Sequence, residues 1–137
     1  MAKLTLALIA HDSNKEDMIS LVKAHRQELA AIDLVAADNT GQTIQSKVDL
    51  PVTRMQSGSQ GGDQQIVTLV ANGDVRAVIF LRDPLMVQPH EPDITALLRV
   101  CDMYDVPLAT NMAAAEAVLH LIFEHPEAVS GHHVAAQ

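Results

Sequence analysis

The chain has no tryptophan, one tyrosine and two phenylalanines in 137 residues. Proteins that hold unpaired bases stack them on several aromatic rings, so nucleic acid is not an expected partner. A single cysteine, Cys101, excludes an intrachain disulfide framework and cannot form a thiolate zinc site by itself; it reads as a core residue. Basic residues are scarce as well. Nine Lys plus Arg face seventeen Asp plus Glu, a net charge of −8, and none follows Arg99. That balance gives no basic patch for nucleic acid or an anionic membrane. No apolar run approaches the roughly 18 residues of a membrane span. The start, Met-Ala-Lys before a strand-like run, has neither the length nor the cleavage site of a signal peptide. A soluble, cytoplasmic protein is the expectation.

What the chain does have is apolar residues, 48% of the total and evenly spread. At this length they form the core of one domain, expected over residues 1–125, with residues 126–137 a loosely ordered tail. Leu4–Ala10 is an apolar run bounded by polar residues and reads as a buried strand. Ser13 with Glu16 matches a capping box, ahead of a helical stripe through Met18, Leu21, Val22, His25 and Leu29. Ile32–Ala37 is a second strand, Asp38–Gly41 a loop, and Ile44–Lys47 a short helix. Leu50–Met55 is a third strand, with Pro51 near its start, where proline is tolerated.

The Ser57–Gln65 segment has three glycines, no apolar residue and an acid, Asp63, before the helical pattern of Ile66, Leu69 and Val70. That helix is expected over 63–72 and closed by Gly73. Ala77–Leu81 is the fourth strand, and Arg82–Pro92 a proline-rich loop. A helix from Asp93 carries Ile94, Leu97, Leu98 and Cys101 on one face. Val106–Ala109 is the fifth strand, and a last helix runs through Ala114, Ala117, Val118, Leu121 and Ile122.

Strands alternating with helices, with no linker and no repeat, predict a three-layer α/β fold. Its centre is a doubly wound five-stranded parallel sheet, Rossmann-like, with helices on both faces and right-handed crossovers. Ligands of such sheets bind at the carboxyl ends of the strands, where the strand order reverses. The polar clusters His11–Lys15, Asp38–Gly41, Ser57–Asp63, Asp83–Asp93 and Thr110–Asn111 each follow a strand. All five should therefore meet at one edge and form a single site.

Two halves of that site are visible. Lys15, Asn39, Thr40, Ser57 and the N–H groups of Gly41 and Gly58 are donors near helix starts, an arrangement suited to a phosphate monoester. The same residues also suit turns and caps with no ligand at all. His11, Asp63, Asp83, His90 and Asp93 form the acid–base half. Carboxylates sharing a cleft resist joint ionisation, which moves one of them toward the range useful to a base. A neutral histidine beside them can donate to a developing enolate oxygen. Asp63 and Asp93 equally suit the first turn or cap of a helix. No Walker or dinucleotide glycine motif is present. The remaining histidines give no metal-ligating set: His25 is packed on a helix, His120 and His125 do not share a face, and His132-His133 lies in the tail.

Ala10-His11-Asp12 with Lys15, Ser57-Gly58, Gly-Gly-Asp-Gln-Gln at 61–65, Asp-Pro-Leu at 83–85, Pro-His-Glu-Pro-Asp at 89–93 and Ala-Thr-Asn at 109–111 together resemble the methylglyoxal synthase family. The resemblance runs from the first strand to about Ala115. It implies a lyase of a glycolytic bypass that converts dihydroxyacetone phosphate to methylglyoxal and inorganic phosphate. No metal and no organic cofactor are implied, the assembly is a homohexamer, and the product phosphate is a candidate inhibitor. Carried over residue by residue, Asp63 is the general base, and His90 hydrogen-bonds the substrate oxygens and shuttles protons, with His11 nearby. Asp83 and Asp93 set that group's protonation and orientation. Lys15, Thr40, Ser57 and Gly58 hold the phosphate, and Asn39 can add its amide.

The chain departs from the family in the loop after the second strand, usually Thr-Gly-Thr-Thr-Gly and here Ala37-Asp38-Asn39-Thr40-Gly41. Two hydroxyls are lost and a carboxylate is gained. Aimed at a phosphate about 4 Å away, Asp38 would repel it by roughly 1–4 kcal/mol per unit charge. The expectation is an active enzyme with weakened phosphate binding, in which Asp38→Gly with Asn39→Thr lowers KM. The reading of a different class is a non-catalytic module for a small phosphorylated metabolite. Asp63 and His90 argue against it, since a binding module has no use for a base beside its anion.

Overall fold

The computed structural model describes residues 4–55, 62–85 and 94–129, and of residues 62 and 63 the main chain alone. Five strands, β1 (Thr5–Ala10), β2 (Asp33–Ala36), β3 (Thr53–Arg54), β4 (Ala77–Leu81) and β5 (Leu108–Ala109), form one sheet in the order β3-β2-β1-β4-β5. Every pairing is parallel. The helices between them are α1 (Lys15–Ala24), α2 (Arg26–Leu29), α3 (Asp38–Val48), α4 (Gly62–Ala71), α5 (Ile94–Met103) and α6 (Met112–Glu124).

The layers follow from the two-residue period of a strand. Leu6, Leu8 and Ala10 of β1 pack with Met18, Leu21, Ile44 and Val118, so α1, α3 and α6 cover one face. Ala7 and Ile9 alternate to the other face, against Ile66 and Val70 of α4 and Leu97 and Cys101 of α5. Both faces are covered by helices, which is why the central strands read as unbroken apolar runs. Phe80, the fourth of the five residues of β4, is fully buried.

β1 is the switch point. The chain winds outward through β2 and β3, returns under the sheet by α4, and resumes at β4 on the other side of β1. The loops leaving β1 and β4 therefore part to opposite faces and open a crevice between them.

Several local expectations are corrected. Ser13 forms no capping box: Asp12–Asn14 is a 3-10 turn, and the cap of α1, Asn14, makes no side-chain capping bond. Asp38–Gly41 is the first turn of α3 rather than a loop. The third strand shrinks from six residues to Thr53–Arg54, because it pairs with β2 at only two positions. The helical stripe after Ser13 breaks at His25, where α1 ends. On α5 it is Val100 and not Leu98 that joins Leu97 and Cys101 in the core. Gly73 closes α4 as expected. At φ 80° it sits where a left-handed residue is needed, and the N–H groups of Gly73 and Asp74 reach back to the carbonyls of Val70 and Leu69. Of the expected tail, Pro126–Val129 forms a 3-10 turn with Val129 buried in the core; residues 130–137 lie outside the described residues.

Candidate functional site

The last residue of β1 organises the crevice. Ala10 lies beyond the β1–β2 register, which ends at Leu8 and Ala36, so its polar groups on that side have no strand partner. Side chains take them instead. Thr40, from the first turn of α3 and 2% exposed, accepts the Ala10 N–H on its Oγ1 at 3.3 Å. Lys15 folds back from the start of α1 and donates its Nζ to the Ala10 carbonyl at 3.1 Å. Its ammonium is also 3.6 Å from Asp12, an exposed carboxylate. An unpaired buried backbone group costs about 1–3 kcal/mol, so these two contacts fix a cation and a hydroxyl at the end of the central strand.

His11 stands on the other side of the crevice. Its own N–H donates to the Leu81 carbonyl at 3.0 Å, extending the β1–β4 ladder by one residue. The Asp83 N–H donates to His11 Nδ1 at 3.2 Å. An imidazole that accepts at Nδ1 is neutral and carries its proton on Nε2, so the backbone of the β4 loop selects the tautomer. The ring meets Phe80 edge to face, with centroids 5.4 Å apart. Asp83 is held in turn: Oδ2 accepts from Ser13 Oγ at 3.1 Å and Oδ1 from the Leu85 N–H at 2.9 Å. The two loops flanking the switch point are thus tied by reciprocal contacts, His11 to Asp83 and Asp83 to Ser13.

Among the sequence-predicted residues, His11, Lys15, Thr40 and Asp83 gather around the carboxyl end of β1. Asn39 is exposed on the first turn of α3, where its carbonyl accepts from Thr43 Oγ1 at 2.9 Å. Asp63 has its main chain in the first turn of α4, and its side chain lies outside the described parts. Ser57, Gly58, His90 and Asp93 lie outside the described residues. Three residues were given no role at the site by the sequence: Ser13 and Asn14, inside the His11–Lys15 cluster, and Arg54. Ser13, assigned to a cap, holds Asp83. Asn14 buries an amide oxygen that has no hydrogen-bond partner among the described residues, and its position three residues after His11 was the only available signal. Arg54, at the end of β3, places Nε 3.5 Å from Oδ1 of Asp38. Asp38, the acid expected to repel an anion, is therefore ion-paired.

Away from the crevice, His25 caps the end of α1 and bridges Glu28 (3.1 Å from Nδ1) and Glu116 of α6 (2.8 Å from Nε2). Burial opposes charge on the ring, but the hydrogen bonds and charges of the two glutamates outweigh it and raise its pKa above the ordinary 6.5. Burial, with a smaller contribution from Asp102, pushes the Cys101 thiol up to about 12. No group of three His, Cys, Asp or Glu side chains suited to a metal ion occurs among the described residues.

Comparison with known proteins agrees with this architecture. A family description, the MGS-like domain, matches residues 17–110. The methylglyoxal synthase of Carboxydothermus hydrogenoformans is 52% identical over 119 residues, 87% of this chain and 98% of that protein. The methylglyoxal synthase of Moorella thermoacetica is 50% identical over 123 residues, 90% of this chain and 96% of that protein. The crystal structure of methylglyoxal synthase from Elizabethkingia anophelis superposes with a TM-score of 0.84 at 35% identity, over 94% of this chain and 82% of that one. A shared fold alone would say little about chemistry, but identity near one half over nearly the whole length of two such enzymes says more. The chain belongs to the methylglyoxal synthase family.

Proposed function

We propose that the crevice at the end of β1 carries out the methylglyoxal synthase reaction, the elimination of phosphate from dihydroxyacetone phosphate. The observation that carries this reading is the pairing of a tautomer-fixed neutral histidine, His11, with an ammonium, Lys15, across one strand end. A neutral imidazole donor suits an oxygen on which charge develops, and a fixed cation suits a phosphate.

Asp63 removes the C3 proton, and the electrons of that C–H bond pass into an enediolate. The enediolate then expels phosphate by breaking the C–O bond, and the enol left behind ketonises to methylglyoxal. Loss of phosphate requires its C–O bond to stand out of the enediolate plane, aligned with the π system. The groups around the phosphate must therefore fix a rotamer as well as supply affinity. Lys15, Thr40, Asn39, Ser57 and Gly58 take that role. His90 hydrogen-bonds the substrate oxygens and shuttles protons, His11 donates through Nε2, and Asp83 and Asp93 hold these groups in orientation. Small displacements of such a set cost rate steeply. The contacts that tie Ser13, Asp83 and His11 together supply the required rigidity.

The enzyme works without metal or organic cofactor, in the cytoplasm, as a homohexamer within a bypass of glycolysis. Among the described residues no helix is long and apolar enough to cross a membrane. Inorganic phosphate, as product, competes for the same donors. Neither nucleic acid nor a membrane is a partner, in keeping with a net charge of −8. The test is phosphate release from dihydroxyacetone phosphate by wild type and by Asp63→Asn. Release by the first, lost in a folded second that still binds substrate, assigns the base. A metabolite-binding module would bind in both cases and release nothing in either.

A further inference from the structure

The phosphate loop of this chain carries an acid that ought to repel its ligand, and the structure shows where the opposing charge comes from. Asp38 lies in the first turn of α3, and Arg54 reaches it from the end of β3, Nε to Oδ1 at 3.5 Å, with both side chains 43% exposed. The arginine stem crosses Gly41. A Cβ added at Gly41 would lie 2.7 Å from Arg54 Cγ and 3.3 Å from Cδ, so the path of the stem depends on the bare glycine that ends the first turn of α3. Gly41 follows Thr40, whose hydroxyl is buried against Ala10 beside Lys15. The Thr40 hydroxyl and the Lys15 ammonium meet at Ala10, and the carboxylate that Arg54 pairs with stands on the same first turn of α3 as Thr40.

We infer that Arg54 is a positioning residue for phosphate: it neutralises Asp38 and so keeps the start of α3 open to a dianion. This deepens the proposed reaction and rests on it for the identity of the substrate. The charge balance requires such a device. Lys15 is shared with Asp12, and the chain as a whole carries −8. An unopposed carboxylate in the first turn of α3 would compete with phosphate for the same helix end, since both are stabilised there by the same unpaired N–H groups. With Arg54 in place the Asp38–Arg54 pair is neutral, and Lys15 and the helix end set the local potential.

The experiment compares Arg54→Gln, Arg54→Lys, Asp38→Asn and the double variant Arg54→Gln/Asp38→Asn, each checked for folding by circular dichroism. Two readouts are taken: titration of inorganic phosphate by calorimetry, and kcat and KM for dihydroxyacetone phosphate. Arg54→Gln weakens phosphate binding and raises KM by about tenfold, the effect of one charge contact of about 1.4 kcal/mol, with kcat within about twofold. Asp38→Asn and Arg54→Lys stay within about threefold of wild type. The double variant regains most of the loss, because the acid that needed opposing is gone; a merely structural arginine would show no such recovery. The inference is overturned if Arg54→Gln changes phosphate affinity by less than about twofold, or if the double variant binds as poorly as Arg54→Gln. If wild type binds phosphate with this pattern but releases none from dihydroxyacetone phosphate, the inference stands and the proposed reaction fails.

Discussion

Thr40→Val gives the most direct view of how the end of β1 is built. The exchange keeps shape and β-branching, so helix propensity in α3 changes little. What it removes is the hydroxyl at 2% exposure that accepts the Ala10 N–H at 3.3 Å. Ala10 is itself only 7% exposed, so water does not replace the acceptor. Leaving a buried donor unsatisfied costs about 1–3 kcal/mol. The bond is long for its type, and the added methyl gains some burial, which places the net loss near 1–2 kcal/mol. For a chain of this size that lowers the melting temperature by roughly 3–7 °C. Thermal unfolding at one fixed protein concentration, followed by circular dichroism, measures it, with Thr40→Ser as the control that keeps the hydroxyl. Thr40→Ser should lie between Thr40→Val and wild type. A Thr40→Val protein at least as stable as wild type would show that the Ala10 N–H has another acceptor and that the strand end is not organised as described.

Three further outcomes are expected. Gly41→Ala gains up to about 1 kcal/mol of helix propensity but must displace the Arg54 stem near its base, which offsets that gain, while KM for dihydroxyacetone phosphate increases; an unchanged KM would mean that the route of the stem does not matter. Because the pKa of His25 is raised in the folded protein, the stabilisation from its charged form is complete below about pH 6.5, its unfolded value, and is lost as pH rises through the folded pKa. The melting-temperature gap between wild type and His25→Gln should accordingly shrink from pH 5.5 to pH 8.5, and a gap that widens would reverse the assignment. Cys101, buried with its thiol pushed up to about 12, should resist a disulfide reagent at pH 8 in the native protein and react fully in denaturant; rapid native labelling would refute its burial.

The parts of the fold that were legible in the sequence are those whose burial is complete. β4 reads to the residue because five apolar side chains in a row, both faces covered, lie between Arg76 and Arg82. β3 misled because Leu50 and Val52 are buried by packing and not by pairing; an apolar run does not distinguish the two. Asp38, Asn39 and Gly41 are turn-forming residues, yet the first turn of a helix needs no preceding hydrogen-bond partners and accepts them readily. The meeting of His11 with Asp83, 72 residues apart, was legible only through topology: both follow strands, and the strand order places those strands side by side. The Arg54–Asp38 pair had no such signal, since an exposed arginine at the end of a two-residue edge strand looks like any other surface charge.

The enediolate formed in this crevice is expected to lose phosphate rather than be reprotonated. Phosphorus and proton magnetic resonance on one sample of purified protein with dihydroxyacetone phosphate follows both products together. Inorganic phosphate and methylglyoxal should appear in equal amounts, with no glyceraldehyde 3-phosphate. Isomerised substrate, or substrate that exchanges its C3 hydrogen with solvent while keeping its phosphate, would contradict it.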